Sequence, residues 1–164
     1  MKIIKEISTY LIIVLIVVLI RTFIITPVRV NGNSMKTTLF DREILLLTKG
    51  NRNIKRFDII VLKFDGERLV KRVVGLPGEH LKYVNNQLYV NDNLIEDSFS
   101  NSITSSFDIK ELGYEVIPDN HYFVLGDNRS ESKDSRFFGM VDIDDIVGKT
   151  KFRLYPFKRI GMVK

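Results

Sequence analysis

Three places in this sequence carry residue types that could do chemistry. The first is V-N-G-N-S-M-K-T-T-L (Val30 to Leu39), where Ser34 follows a turn containing Gly32. A serine hydroxyl becomes a nucleophile when a base takes its proton; in the same setting it can also be a plain turn serine or a helix N-cap. The second is Lys71, with Leu69 and Val73 two residues to either side. In a strand those three share one face and Arg72 takes the other, so the amine is set among aliphatic groups. Burial disfavours the ammonium, which is how a lysine becomes a base near neutral pH; a strand lysine reaching out to water is the plainer alternative. The third is G-D-N-R-S-E-S-K-D-S-R-F-F-G (Gly126 to Gly139), dense in Asp, Asn, Ser and Arg between apolar strands. It suits a rigid polar network beneath a site, or an ordinary loop.

Other chemistries find little support. The chain has no cysteine, which removes disulfides, thiolate zinc sites and a Cys nucleophile together. A Ser-His-Asp arrangement would need His80 or His121, and both lie beside turns with no supporting motif. Asp142, Asp144 and Asp145 could hold a metal, but alternating acids before I-V-G more often cap a turn, so neither metal nor cofactor is expected. The formal charge is +5, yet Lys and Arg are dispersed and interleaved with acids. That distribution speaks against a nucleic-acid surface and favours attraction to anionic lipid headgroups.

The elements that must position these residues begin with an apolar run, I-S-T-Y-L-I-I-V-L-I-V-V-L-I-R-T-F-I-I, from Ile7 to Ile25. As a helix it would extend roughly 28 Å, close to the ~30 Å hydrocarbon core of a bilayer. Arg21, one turn from its end, can lift its guanidinium into the headgroups. No small-x-small cleavage pattern follows, so a retained anchor is expected rather than a removable signal. The division is then 1–6, a short head; 7–25, a transmembrane anchor; and 26–164, a β-rich domain. The charges flanking the span do not set its orientation, because Lys2 and Lys5 are matched by Arg21 and Arg29.

After Pro27 the chain reads as short strands and turns. Glu43 to Thr48 is apolar, and Ile59 to Phe64 with Arg68 to Val74 make a hairpin around Asp65-Gly66. L-K-Y-V and Q-L-Y-V around Asn85-Asn86 make a second, with a further turn at Asn91, Asp92 and Asn93. Ser98 to Ser106 is polar and of low complexity, hence a surface loop, and Tyr122 to Leu125 is an apolar strand. A short helical turn falls near Asp142 to Ile146. The fold class is mostly β: an antiparallel β-sheet domain with short helical turns, on one N-terminal transmembrane helix.

In order from the anchor to about Phe157, these segments resemble the type I signal peptidases, the bacterial leader peptidase family of Ser/Lys proteases. G-N-S-M-K-T-T-L resembles the family's nucleophile box, R-F-D-I-I-V-L-K-F and R-L-V-K-R-V-V-G-L-P-G-E its next two, and G-D-N-R-S-E-S-K-D-S-R-F-F-G its last. The resemblance implies a membrane-anchored serine endopeptidase that removes signal peptides from exported preproteins, with the 1–6 head cytoplasmic and the 26–164 domain extracytoplasmic. Ser34 would attack the scissile carbonyl and neutral Lys71 would take its proton, giving an acyl-enzyme that water hydrolyses. It further implies that Ser132 hydrogen-bonds the lysine, that Asp134 and Arg136 form a supporting ion pair, and that Asp127 stands behind them. The oxyanion would be held by the Ser34 N–H and a second donor. In some members that donor is a hydroxyl two residues before the nucleophile, where this chain has Gly32. Thr37 stands where the family usually has Pro. Substrates implied are preproteins with small residues at the first and third positions before the cut.

The partners expected are therefore signal peptides and membrane lipid, with no nucleic acid and no obligate protein partner. A Ser/Lys self-cleaving repressor would need a DNA-binding domain where this chain has its apolar segment. A non-enzymatic homologue serving as a membrane-bound assembly module would be expected to lose Ser34 or Lys71, and both are here.

Overall fold

The computed structural model describes residues 2–23, 25–50, 53–100 and 102–163. Helix α1, Lys2–Phe23, opens the chain. Pro27 cannot donate to a helix and biases Thr26 toward extended backbone, so the chain turns into strand β1, Ile25–Arg29. The helix thus ends two residues before Ile25, which already pairs in the sheet. Thr26 Oγ1 donates to the Arg21 carbonyl at the helix end. The side chains described in α1 are those of residues 6–19 and 21. Among the described residues, no helix is long and apolar enough to cross a membrane.

The strands that follow are β2 (Ile44–Lys49), β3 (Ile59–Phe64), β4 (Glu67–Gly75), β5 (Leu81–Val84), β6 (Gln87–Val90), β7 (Asn93–Ile95), β8 (Phe107–Asp108) and β9 (His121–Leu125). After the short helix α2 (Ser135–Phe138) come β10 (Val141–Asp142), β11 (Ile146–Tyr155) and β12 (Gly161–Met162). The larger sheet runs β1-β2-β11-β3-β4-β9-β10, with β12 beside β11; the smaller runs β7-β6-β5-β8. All pairings given by register are antiparallel. The mostly β antiparallel reading therefore holds.

Turn chemistry sets the hairpins. Asp65 and Gly66 both take positive φ and close β3 onto β4, pairing Phe64 with Glu67 and Ile60 with Lys71. Asn85 and Asn86 do the same between β5 and β6. Both hairpins fall where the sequence places them. In β3, Ile59 and Val61 pack with Val28, Leu45, Leu47, Met35 and Leu39. Ile60 and Leu62, on the other face, pack with Val73, Tyr122 and Val124. The central sheet is buried on both faces at this point.

The expected surface loop over 98–106, of which residue 101 lies outside the described residues, departs from that reading at Thr104. Thr104 is buried, and its backbone N–H donates to Asn86 Oδ1 while its hydroxyl accepts from Arg129. The short helical turn does form, a 3₁₀ turn over Ile143–Asp145 capped by the Asp142 carboxylate. Asp142, Asp144 and Asp145 serve that turn, and no metal-holding group of acids and histidines occurs among the described residues.

Candidate active site

Ser34 lies in the connection between β1 and β2. Met35 and Leu39 on either side of the turn are fully buried, which pins the segment to the core while Ser34 stays partly exposed. Gly32 adopts φ +86°, a backbone conformation that side chains resist, and its N–H donates to Asp41 Oδ1 at 2.9 Å. That amide is therefore already committed. Thr37 is exposed, whereas Thr38 Oγ1 donates to Asp127 Oδ2 at 2.5 Å.

Lys71 sits on β4 opposite Ile60 and is only 3% exposed. Its Nζ donates to Ser34 Oγ at 2.7 Å. Loss of water lowers its pKa from 10.5 to about 8; Asp134 opposes the shift, Arg136 adds to it, and Asp127 again opposes it. Desolvation comes first because a β4 position between Leu69 and Val73 offers the ammonium an aliphatic wall. Arg72, on the opposite face, is not among the causes.

Gly126 to Gly139 underlies this pair. Asp127 is 0% exposed and takes a two-pronged pair from Arg72, Nε to Oδ1 at 2.8 Å and Nη2 to Oδ2 at 2.7 Å. Asp134 is equally buried and pairs with Arg136 at 2.8 and 2.9 Å, while also accepting the Gly126 N–H. Ser132 differs from the expected lysine partner. It is 5% exposed, and its Oγ makes no hydrogen bond among the described residues. Ser132 lies over Gly126, whose missing Cβ leaves the space its Oγ occupies. Ser34 Oγ takes the Lys71 hydrogen bond instead.

Sequence reasoning missed a further buried cation beyond Lys71 and Arg72. Arg129 bonds Asp97, Thr104, the Tyr83 hydroxyl and the Gly126 carbonyl. The Tyr83 hydroxyl also donates to Asp97, and burial pushes its pKa upward. Phe99 lies 3.8 Å from the Arg72 guanidinium. Arg129 stands inside the G-D-N-R string, so its type was visible; its partners Asp97, Thr104 and Tyr83, 25 to 46 residues away, were not.

Asn31, Gly32, Asn33, Ser34, Leu69 and Lys71 line a cleft of about 450 Å³, rimmed by Asp65, Glu67, Glu131 and Lys133. It adjoins a trough between Pro27–Arg29 and Glu67–Leu69. β1 ends the large sheet, and β4 pairs with β9 only from Arg72 onward. Two strand edges without partners among the described residues thus face the trough. A hydroxyl bonded to a buried amine of lowered pKa, beside such edges, can perform acyl transfer on an extended peptide.

Comparison with known proteins agrees with that chemistry. Residues 3–155 match the family described as "Signal peptidase, peptidase S26". Signal peptidase I of Bacillus caldolyticus is 39% identical over 162 residues, covering 90% of this chain and 89% of that one. Signal peptidase IB of Staphylococcus aureus is 37% identical over 160 residues, covering 87% and 84%. A crystal structure of a signal peptidase I from Enterococcus faecalis V583 superposes with a TM-score of 0.56 at 34% identity, covering 59% of this chain and 96% of that one. The chain belongs to the signal peptidase, peptidase S26, family. Its activity is that of a hydrolase, a peptidase of the signal peptidase I type.

Proposed function

We propose that this peptidase is a membrane-anchored serine endopeptidase that removes N-terminal signal peptides from exported preproteins, with Ser34 as nucleophile and Lys71 as general base. The carrying observation is the 2.7 Å bond between Lys71 Nζ and Ser34 Oγ, made by an amine that burial brings to about 8. At neutral pH such an amine is free of its proton in roughly one molecule in ten, against fewer than one in a thousand for an unperturbed lysine. In acylation, Ser34 Oγ bonds the scissile carbonyl carbon as its proton passes to Lys71 Nζ. That proton then goes to the departing amine as the peptide C–N bond breaks. Water next gives a proton to Lys71 and its oxygen to the acyl carbon, and Lys71 passes that proton to Ser34 Oγ as the ester C–O bond breaks, restoring the free hydroxyl and the neutral amine. Ser132, Asp134, Arg136 and Asp127 act as supports, through packing and charge around the amine.

The substrate enters as an extended strand between the free edges of β1 and β4, with small side chains at the first and third positions before the cut. Residues 7–25 are the anchor, residues 1–6 a cytoplasmic head and residues 26–164 the extracytoplasmic domain. In support, the described apolar side chains of α1 from Ile7 to Leu19 are exposed rather than packed on the β domain. α1 also leads into β1, whose end is the trough.

The test is single-turnover cleavage of a detergent-solubilised preprotein across pH. Cleavage is expected to rise with pH through an apparent pKa near 8, because the base form gains population as the proton leaves. Ser34→Ala is expected to abolish it. An acid limb that persists unchanged in an active Lys71→Ala variant would show that another group is the base.

A further inference from the structure

We infer that Asn128 is a positioning residue that aims the Ser34 backbone N–H at the oxyanion, an inference that rests on Ser34 being the nucleophile. Asn128 is 7% exposed and reaches the nucleophile segment twice. Its backbone N–H donates to the Ser34 carbonyl at 3.0 Å, and its Nδ2 donates to the Asn33 carbonyl at 3.2 Å. These are the two peptide units on either side of Ser34. Both are held from a segment some 95 residues away in sequence.

The second bond carries the inference. The Asn33 carbonyl and the Ser34 N–H belong to one peptide plane, which is trans, so they point in opposite directions. Fixing the carbonyl fixes the direction of the amide. The Lys36 N–H also donates to the Asn33 carbonyl at 3.0 Å, so that oxygen carries two donors. Bonding at a carbonyl polarises the peptide and strengthens its N–H as a donor. The Ser34 N–H meanwhile has no acceptor among the described residues, and is left for a ligand. The neighbouring Gly32 amide is spent on Asp41, which makes the direction of the Ser34 amide matter more.

The amide orientation of Asn128 follows from its surroundings. Oδ1 accepts from the Ser130 hydroxyl at 3.1 Å, and Nδ2 donates to Glu131 Oε2 at 3.1 Å as well as to Asn33. Both acceptors of Nδ2 require a donor there, so a reversed amide is ruled out. Both Nδ2 hydrogens and one Oδ1 lone pair are thus used to hold the side chain in place.

The experiment compares Asn128→Ala, Asn128→Asp and Ser130→Ala in the full-length solubilised enzyme. Each is assayed for kcat and KM, for the acid limb, and for affinity toward a substrate-like peptide aldehyde, whose hemiacetal with Ser34 places an oxygen in the oxyanion position. For Asn128→Ala, kcat and aldehyde affinity should fall together by about 10- to 100-fold, less than complete loss of an oxyanion donor. KM and the acid limb should stay put. Asn128→Asp, of equal size but an acceptor facing Asn33 and Glu131, should lose more. Ser130→Ala, at an exposed position that endangers no core, should lose about two- to fivefold in kcat by loosening the Asn128 side chain. A kcat near wild type in all three, or a loss confined to KM or to the acid-limb pKa, would overturn the Asn128 role. Should Ser34→Ala remain active, the nucleophile reading fails instead, and the two failures are told apart by that single control.

Discussion

The region around Ser34 and the small sheet β7-β6-β5-β8 are built from opposite materials. Beneath the small sheet lies an apolar cluster of Val74, Leu81, Tyr83, Leu88, Val90, Ile109, Ile117 and Phe123. Around Ser34 and Lys71 the buried groups include Lys71 itself, Arg72, Asp127, Arg129, Ser132 and Asp134. Oily packing is tolerant of small shifts and indifferent to protons. Buried charge is neither, since each group depends on one partner in one place. Buried charge recurs at Glu43 and Lys149, so it is dense around Ser34 and Lys71 rather than confined there, while the small sheet, packed mainly on apolar side chains, acts as a buttress.

The largest effect that would break this contrast is on turnover. Lys71→Ala should lower single-turnover cleavage by about a thousandfold, and Lys71→Arg by as much, since a guanidinium keeps its proton. A well-folded Lys71→Arg with substantial activity would remove the reason for a buried amine. Next comes a matched pair of truncations. Asp127→Ala strands the Arg72 guanidinium and should cost about 3–5 kcal/mol by denaturant melt. Leu88→Ala in the small sheet should cost about 2–5 kcal/mol. The energies overlap, but the activity of the remaining folded protein should fall only for Asp127→Ala. Equal activity in both would mean the polar region is merely structural.

A smaller effect has the opposite sign. Lowering the Lys71 pKa from 10.5 to about 8 corresponds to about 3 kcal/mol spent on holding the amine out of water. Between pH 8 and 10.5 the unfolded chain binds a proton on this lysine that the folded chain does not, so stability rises with pH over that window. Below it the whole cost is present. Lys71→Met should therefore be inactive yet more stable at pH 7 by about 1–3 kcal/mol, with the gain fading toward pH 10.5. A destabilised Lys71→Met would mean that the Ser34 contact outweighs desolvation. The smallest effect tests the buttress alone. Asn85→Ala puts a Cβ-bearing residue with no turn preference at φ 49° and should cost about 1 kcal/mol with activity intact.

How much of this was visible in the sequence follows the same divide. Asp65-Gly66 and Asn85-Asn86 announce their hairpins because the turn is written in adjacent residues. Ser34 and Lys71 were legible through ordered motifs. The insertion of β11 between β2 and β3 was not, because pairing Thr150 with both Leu47 and Ile59 is decided by distant contacts. Thr104 reads as one more polar residue in a soft loop until Arg129 is seen to reach it. The seat of Ser132 was hidden for a related reason, since it depends on an atom that position 126 lacks.

That absent atom also governs what heredity can do here. A Cβ built at Gly126 falls 2.3 Å from Ser132 Oγ and 2.4 Å from the Ser34 carbonyl oxygen, a backbone atom that cannot swing aside. Even alanine would wedge the two serine segments apart. A Cβ at Gly32, by contrast, would meet no atom within 4 Å beyond its chain neighbours, and only the positive φ restrains the choice, so asparagine remains open to it. Inherited variation around Ser34 is therefore closed at position 126 but open at exposed residues of the cleft such as Asn31, Asp65 and Lys133.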